Sequence, residues 1–218
     1  MGRRKKQPAS LHRESIALSA QELFFNKGIE ATTMDDIAKA AGYSKATLYV
    51  YFENKEEIIG VLVLESMKKL LSYITKAIKS NMDTNTRYEA ICRALVQYHQ
   101  DYPFYFELAL SKINIDFNNE KWLPEEKETF QVGEEINALL ISFLKEGILS
   151  QELREDLPIL PTLFAFWGML SGVITLADHK KEYLQKELSL SPEAFLQYSF
   201  MMLYQSIERG TGTNEEIK

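Results

Sequence analysis

The sequence predicts an all-α protein of about nine helices, arranged as a three-helix N-terminal domain and a larger C-terminal helical bundle. Three observations predict it. Apolar residues recur with a helical period along most of the chain, and no run alternates strictly as a strand would. Helix start and stop signals follow one another at short intervals. The charge balance also changes sign near residue 55: residues 1–55 carry nine Lys/Arg against six Asp/Glu, and residues 56–218 carry 16 against 25. The expected division is therefore 1–55, 56–209 and a polar tail at 210–218.

Ile16, Ala20, Leu23 and Phe24 form the apolar stripe of a first helix that Gly28 stops. Thr33, with Asp36 three residues on, makes a capping box for a short second helix whose inner face is Ile37, Ala38 and Ala41. Gly42 ends it, and Ser44 caps a third helix from Lys45. Asn54 opens a long fourth helix toward Ile78. After the polar stretch Asn81–Asn85, Thr86 with Glu89 reads as another capping box ahead of Ile91, Leu95 and Tyr98. Pro103 and Pro124 each suit the first turn of a new helix, and Ser191-Pro192-Glu193 starts a last one through Tyr204.

Composition removes whole classes of function. With 45% hydrophobic and 26% charged residues, the chain has the usage of a globular protein rather than a disordered one. One cysteine, Cys92, excludes a disulfide framework and fits a reducing cytosol. The start is basic (Arg3, Arg4, Lys5, Lys6), but no apolar run follows as a secretory signal requires. Residues 157–177 hold no charge and are long enough to cross a bilayer. Pro158, Pro161, Thr162, Ser171 and Thr175 point instead to a buried bundle helix, so a cytoplasmic chain with no membrane partner is expected. No HExxH, GxSxG or phosphate-binding glycine loop is present, and His12, His99 and His179 lack metal-ligand spacing. Neither a catalytic role nor a cofactor or metal is expected.

The two short helices at 33–41 and 45–52, joined by a turn containing Gly42, have the helix-turn-helix pattern. In that pattern the first helix braces on the DNA backbone while the second lies in the major groove. Lys45 can reach phosphate or guanine, Thr47 can bond a base or touch a thymine methyl, and Tyr49 and Tyr51 are long amphipathic side chains. Ala46 leaves room for close approach, Leu48 and Phe52 anchor the other side, and Lys55 sits where a helix start favours phosphate. The tyrosines and lysines also read as packing residues and a solvated face, and the basic arm as a solubilising tail or a phosphate contact.

Gly28, Thr32-Thr33, Ile37-Ala38, the run Ala41 to Tyr49, Phe52 and Lys55-Glu56 together resemble the signature of TetR-family transcriptional regulators. The resemblance implies a homodimeric all-α regulator, more often a repressor, that releases a palindromic double-stranded DNA operator when a small molecule binds its C-terminal domain. It implies backbone contacts at Thr33, Ser44, Tyr49 and Lys55, and base readout at Lys45, Ala46, Thr47 and Tyr51. Ala46 and Tyr51 depart from the residues common at those two positions, which bears on the operator sequence.

For a small apolar or aromatic effector, His99, Tyr105, Phe106, Phe130, Asn137, Trp167 and Ser171 are the candidate contacts, with core packing as the alternative for the aromatics. Gly168 and Gly172, four apart, allow a partner helix to approach closely. By family analogy the homodimer interface falls there and on Phe164, Phe195, Ser199, Met202, Leu203 and Ser206, against packing within one chain. Two rival functions stay open: a nucleoid or division factor of the same fold, and a helical enzyme.

Overall fold

A computed structural model describes residues 8–78, 83–110 and 122–210. The basic arm at residues 3–6, the first two residues of the polar stretch at 81–85 and the tail from residue 211 lie outside them. Among the described residues there are ten α-helices and no extended strand, only an isolated bridge between Leu153 and Glu208. The helices are α1 (Ala9–Lys27), α2 (Met34–Ala40), α3 (Lys45–Tyr51), α4 (Lys55–Ile78), α5 (Thr84–Asp101), α6 (Pro103–Leu110), α7 (Pro124–Leu149), α8 (Ile159–His179), α9 (Lys181–Glu187) and α10 (Pro192–Gln205). The one beyond expectation is α9, a turn or two rich in Lys and Glu that buries Leu184 and has no apolar stripe to announce it.

Most local start signals do what their chemistry predicts. Thr33 and Asp36 form the reciprocal capping box of α2, and Ser44 Oγ accepts from the Thr47 amide at 3.1 Å at the start of α3. Asn54 Oδ1 accepts from the Glu57 amide at 2.9 Å, and Ser191 Oγ from the Ala194 amide at 3.1 Å. At α5 the cap is Asp83 rather than Thr86. The Asp83 carboxylate accepts from both the Thr86 amide (2.8 Å) and hydroxyl (2.7 Å), so the helix begins three residues earlier and Thr86 is its third position. A carboxylate is the stronger acceptor for an unpaired helix-start amide.

The chain forms two compact units. The first holds the residues up to Lys68 together with Phe104–Val132, so it extends beyond a cut at residue 55. The reason is physical: α4 is one uninterrupted helix across that boundary, and the α6 region packs against α1. Phe104 lies 6.5 Å from the Phe24 ring, and Tyr105 OH donates to Gln21 Oε1 at 2.9 Å. Its core is Ile16, Phe24, Ile37, Leu48, Phe52, Ile58 and Leu62, all nearly inaccessible to solvent. The second unit holds Lys69–Pro103 and Gly133–Lys218. There α8 and α10 pack on each other and both pack on α5 and α9. The segment before α8 is pinned to the end of the chain by the Arg154 amide on Ile207 O (3.0 Å) and the Arg209 amide on Glu152 O (2.9 Å).

Candidate functional site

The α2–α3 pair is a helix-turn-helix with its geometry fixed locally. The turn needs a residue at φ +74°, supplied by Gly42, and it closes by the Tyr43 amide donating to Ala38 O at 2.9 Å. Leu48 and Phe52 face the core, as expected. The outward face of α3 consists of Lys45, Ala46, Tyr49 and Val50, two pairs one helical turn apart. Val50 is 78% exposed and Tyr49 44%. Sequence reasoning passed over Val50, because a valine in a helix reads as core; its position two residues from Leu48 was the available signal that it points elsewhere.

The polar groups near this face are already partnered. Lys45 Nζ pairs with Asp35 of α2 at 2.8 Å, which raises its pKa by the direct hydrogen bond. The Thr47 and Ser44 hydroxyls lie 2.8 Å apart within the cap. Thr33 Oγ1 and its amide both bind Asp36 Oδ2, at 2.8 and 3.0 Å. Asp36 also takes Lys27 Nζ at 2.7 Å, and that bond first, then those from Thr33, hold its carboxyl well below the usual carboxylate range.

Two expected DNA contacts are placed differently. Tyr51 turns back: its ring stacks on His12 at 5.1 Å and meets Tyr43 edge-on at 6.2 Å, and Tyr43 OH is hydrogen-bonded to His12 Nδ1 at 2.6 Å. It forms a partly exposed outer layer over the head's core. Lys55 Nζ donates to Ile29 O at 2.7 Å and Thr32 O at 3.2 Å, so its ammonium braces the α1–α2 loop. Arg13, which the sequence did not single out, gathers three groups. Its guanidinium donates to Tyr51 O, lies 4.1 Å from the Phe52 ring and pairs with Glu125 at 2.6 Å.

The second unit contains a cavity of about 480 Å³, part of it open to solvent. Tyr88, Ile91 and Leu95 of α5, Phe143 of α7, and Thr162, Phe166 and Trp167 of α8 are among its walls, and no charged side chain lines it. Tyr88 OH donates to Phe200 O at 3.0 Å, and burial pushes its phenol far above the ordinary value. Burial likewise pushes the neighbouring Cys92 thiol up to about 12, as for an unreactive core cysteine.

Of the seven candidate effector contacts, Trp167 lines this cavity. Ser171 is buried but spends its hydroxyl on Trp167 O at 2.6 Å, and Asn137 bonds Glu134 on its own helix at 3.1 Å. His99 sits 3.9 Å from Asp178. Tyr105, Phe106 and Phe130 belong to the first unit, where Tyr105 and Phe106 are core and Phe130 packs on Trp122. Aromatic composition located an aromatic-rich interior but not which rings share one void.

The α8–α10 layer leaves an apolar face uncovered. Phe164 is 59% exposed, Gly168 and Gly172 lie beside it, and Met202 is half exposed. Ser206 is exposed and Phe195 half-buried, but Ser199 and Leu203 are packed inside the unit, Ser199 Oγ donating to Phe195 O at 2.8 Å. On α10 the outward apolar residues are instead Tyr198, Met201 and Met202. The helical stripe was legible, and the side of it that faces α8 was not.

Residues 16–62 match the family model for bacterial regulatory proteins, tetR family, a stretch that runs from within α1 into the first part of α4. The chain is 30% identical over 104 residues to the HTH-type transcriptional activator FasR of Mycolicibacterium smegmatis, covering 46% of this chain and 48% of FasR. It is 27% identical over 184 residues to the nucleoid occlusion factor SlmA of Vibrio cholerae, covering 74% of this chain and 94% of SlmA. The chain spans about half the length, or less, of several of the curated relatives it matches. A crystal structure of the transcriptional regulator FadR from Bacillus subtilis in complex with stearoyl-CoA has the same fold, with a TM-score of 0.65 at 19% identity over 89% of this chain and 98% of FadR. The helix-turn-helix head of this chain thus matches the tetR-family model, and the ten helices among its described residues follow the fold of that regulator structure.

Proposed function

We propose that the chain is a cytoplasmic, non-catalytic transcriptional regulator that binds a palindromic DNA operator as a homodimer and releases it when a small molecule fills the cavity of the second unit. In this reading residues 1–55 form the DNA-binding domain and 56–209 the effector and dimerisation domain. The observation that carries it is α3: a short capped helix held from behind by Leu48 and Phe52, with Lys45, Ala46, Tyr49 and Val50 turned outward. Thr33 and Ser44 hold the helix starts that would face the backbone, and Tyr49, exposed on α3, is the further backbone contact.

The effector that suits the cavity is an uncharged apolar or aromatic molecule, or the apolar chain of a larger one, since burying a charge without a partner is costly. The stearoyl-CoA bound to FadR carries such a chain. Release follows if the effector binds the DNA-incompetent state better than the DNA-binding one.

Titrating the protein onto duplex DNA from upstream of its own coding sequence tests this reading. Binding that weakens steeply with salt, and that Lys45→Ala with Tyr49→Ala abolishes, is the expected result. No binding at low salt, or binding indifferent to both substitutions, would sink it. The similarity to SlmA over nearly all of that protein supports a second reading, a factor bound at many dispersed chromosomal sites. Genome-wide occupancy separates the two: a few promoter sites mark a regulator.

A further inference from the structure

The reading face of α3 is divided by chemistry. On one edge stand Lys45, paired with Asp35, and Tyr49. On the other stand Ala46 and Val50, one turn apart and both exposed, with no polar atom beyond the backbone. Val50 contributes nothing to the head's core at 78% exposure, and a β-branched residue is a slightly poor helix former. Of the neighbouring polar side chains, Thr47 has its hydroxyl against Ser44 Oγ in the cap, and Tyr51 has its ring stacked on His12 of α1. What the second edge offers a major groove is therefore an apolar surface of three methyl groups, from Ala46 and the two branches of Val50. The major groove holds one apolar group of matching size, the C5 methyl of thymine.

We infer that Ala46 and Val50 are specificity-determining residues that select thymine by burying its C5 methyl group. This rests on the DNA-binding reading above and adds the base class read by one edge of α3. Cytosine at the same position would present an amino donor and no methyl to a surface that has no acceptor, so discrimination comes from both the missing contact and the unpaired donor.

The test uses full-length protein and DNA enriched by it from a random duplex library. The recovered sequence is resynthesised with deoxyuridine replacing thymidine one position at a time, which removes the methyl and leaves base pairing intact. At one or more positions per half-site, wild-type affinity should fall about fourfold per methyl removed, the usual worth of one buried carbon group. In Val50→Ala, which retains the helix because the side chain is exposed, the same replacement should change affinity less than twofold. Equal losses in both proteins, or no sensitive position in the wild type, would overturn the inference while leaving DNA binding intact. A protein that enriches no sequence at low salt fails the DNA-binding reading itself, and this inference with it.

Discussion

Lys55 is the residue at which charge alone and geometry disagree most. A lysine in the first turn of a helix next to a reading head suggests phosphate, but its ammonium lies 2.7 and 3.2 Å from two carbonyls of the α1–α2 loop. Those carbonyls lie in a loop that holds the fully buried Thr32, whose own hydroxyl donates to Gly28 O at 2.7 Å. Replacing Lys55 by Met keeps the aliphatic stem and removes the donor. The expected result is a loss of about 1–2 kcal/mol in urea denaturation, the range for hydrogen bonds to a charged group at a half-buried site. The salt dependence of DNA binding should stay unchanged in conditions where both proteins are folded. A phosphate ligand would instead flatten the slope of log K against log salt by about 0.9 per subunit bound, so that slope decides between the two roles. Sequence could not reveal the brace, because the partners lie 26 and 23 residues away.

At the scale of elements, α2 is held at its start by a carboxylate, and its stability should follow that carboxylate. Asp36 is depressed in the folded state, chiefly by the Lys27 hydrogen bond. A group of this kind stabilises the fold fully above its unfolded pKa of about 4 and loses that contribution as pH falls through the folded value. Asp36→Asn should therefore lower the urea midpoint at pH 7, and the gap from wild type should narrow as pH drops below about 4. A gap that stays constant to pH 3 would mean that charge is not what Asp36 contributes. The same capping chemistry explains what the sequence could show. Thr33, Ser44, Asn54 and Ser191 cap helices whose amides lie three residues away, so pattern suffices. Contacts closing over long separations were out of reach: Arg13 with Glu125 is 112 residues apart, and Gly147 leaves no room for a Cβ because Leu153 and Thr84 would stand 2.7 and 2.8 Å from it. Likewise α9 escaped notice for want of an apolar stripe, and Val50 because propensity is blind to which side of a helix a neighbour covers.

At the scale of the whole molecule, the apolar face of α8 and α10 is hard to reconcile with a lone chain in water. Phe164, Tyr198, Met201 and Met202 are each at least half exposed on two helices that pack together. Large apolar side chains exposed together on packed helices are a reason to look for an association surface there. A two-fold axis through it would give a DNA reader the paired heads that a palindromic site requires. Gly168 and Gly172 allow a clean test, because a Cβ at either would meet nothing within 4 Å in the isolated chain. Leucine at both positions should leave the chain's own packing intact and favour the helix by up to about 1 kcal/mol per site. In a dimer the same leucines would stand where a partner helix has to approach, so association and helix stability should move in opposite directions. Sedimentation should show the double variant shifting from dimer toward monomer while its helical circular dichroism is retained. An unaltered sedimentation mass would place the dimer contact away from these glycines, and a loss of helicity would mean that the space around them is needed by the chain itself.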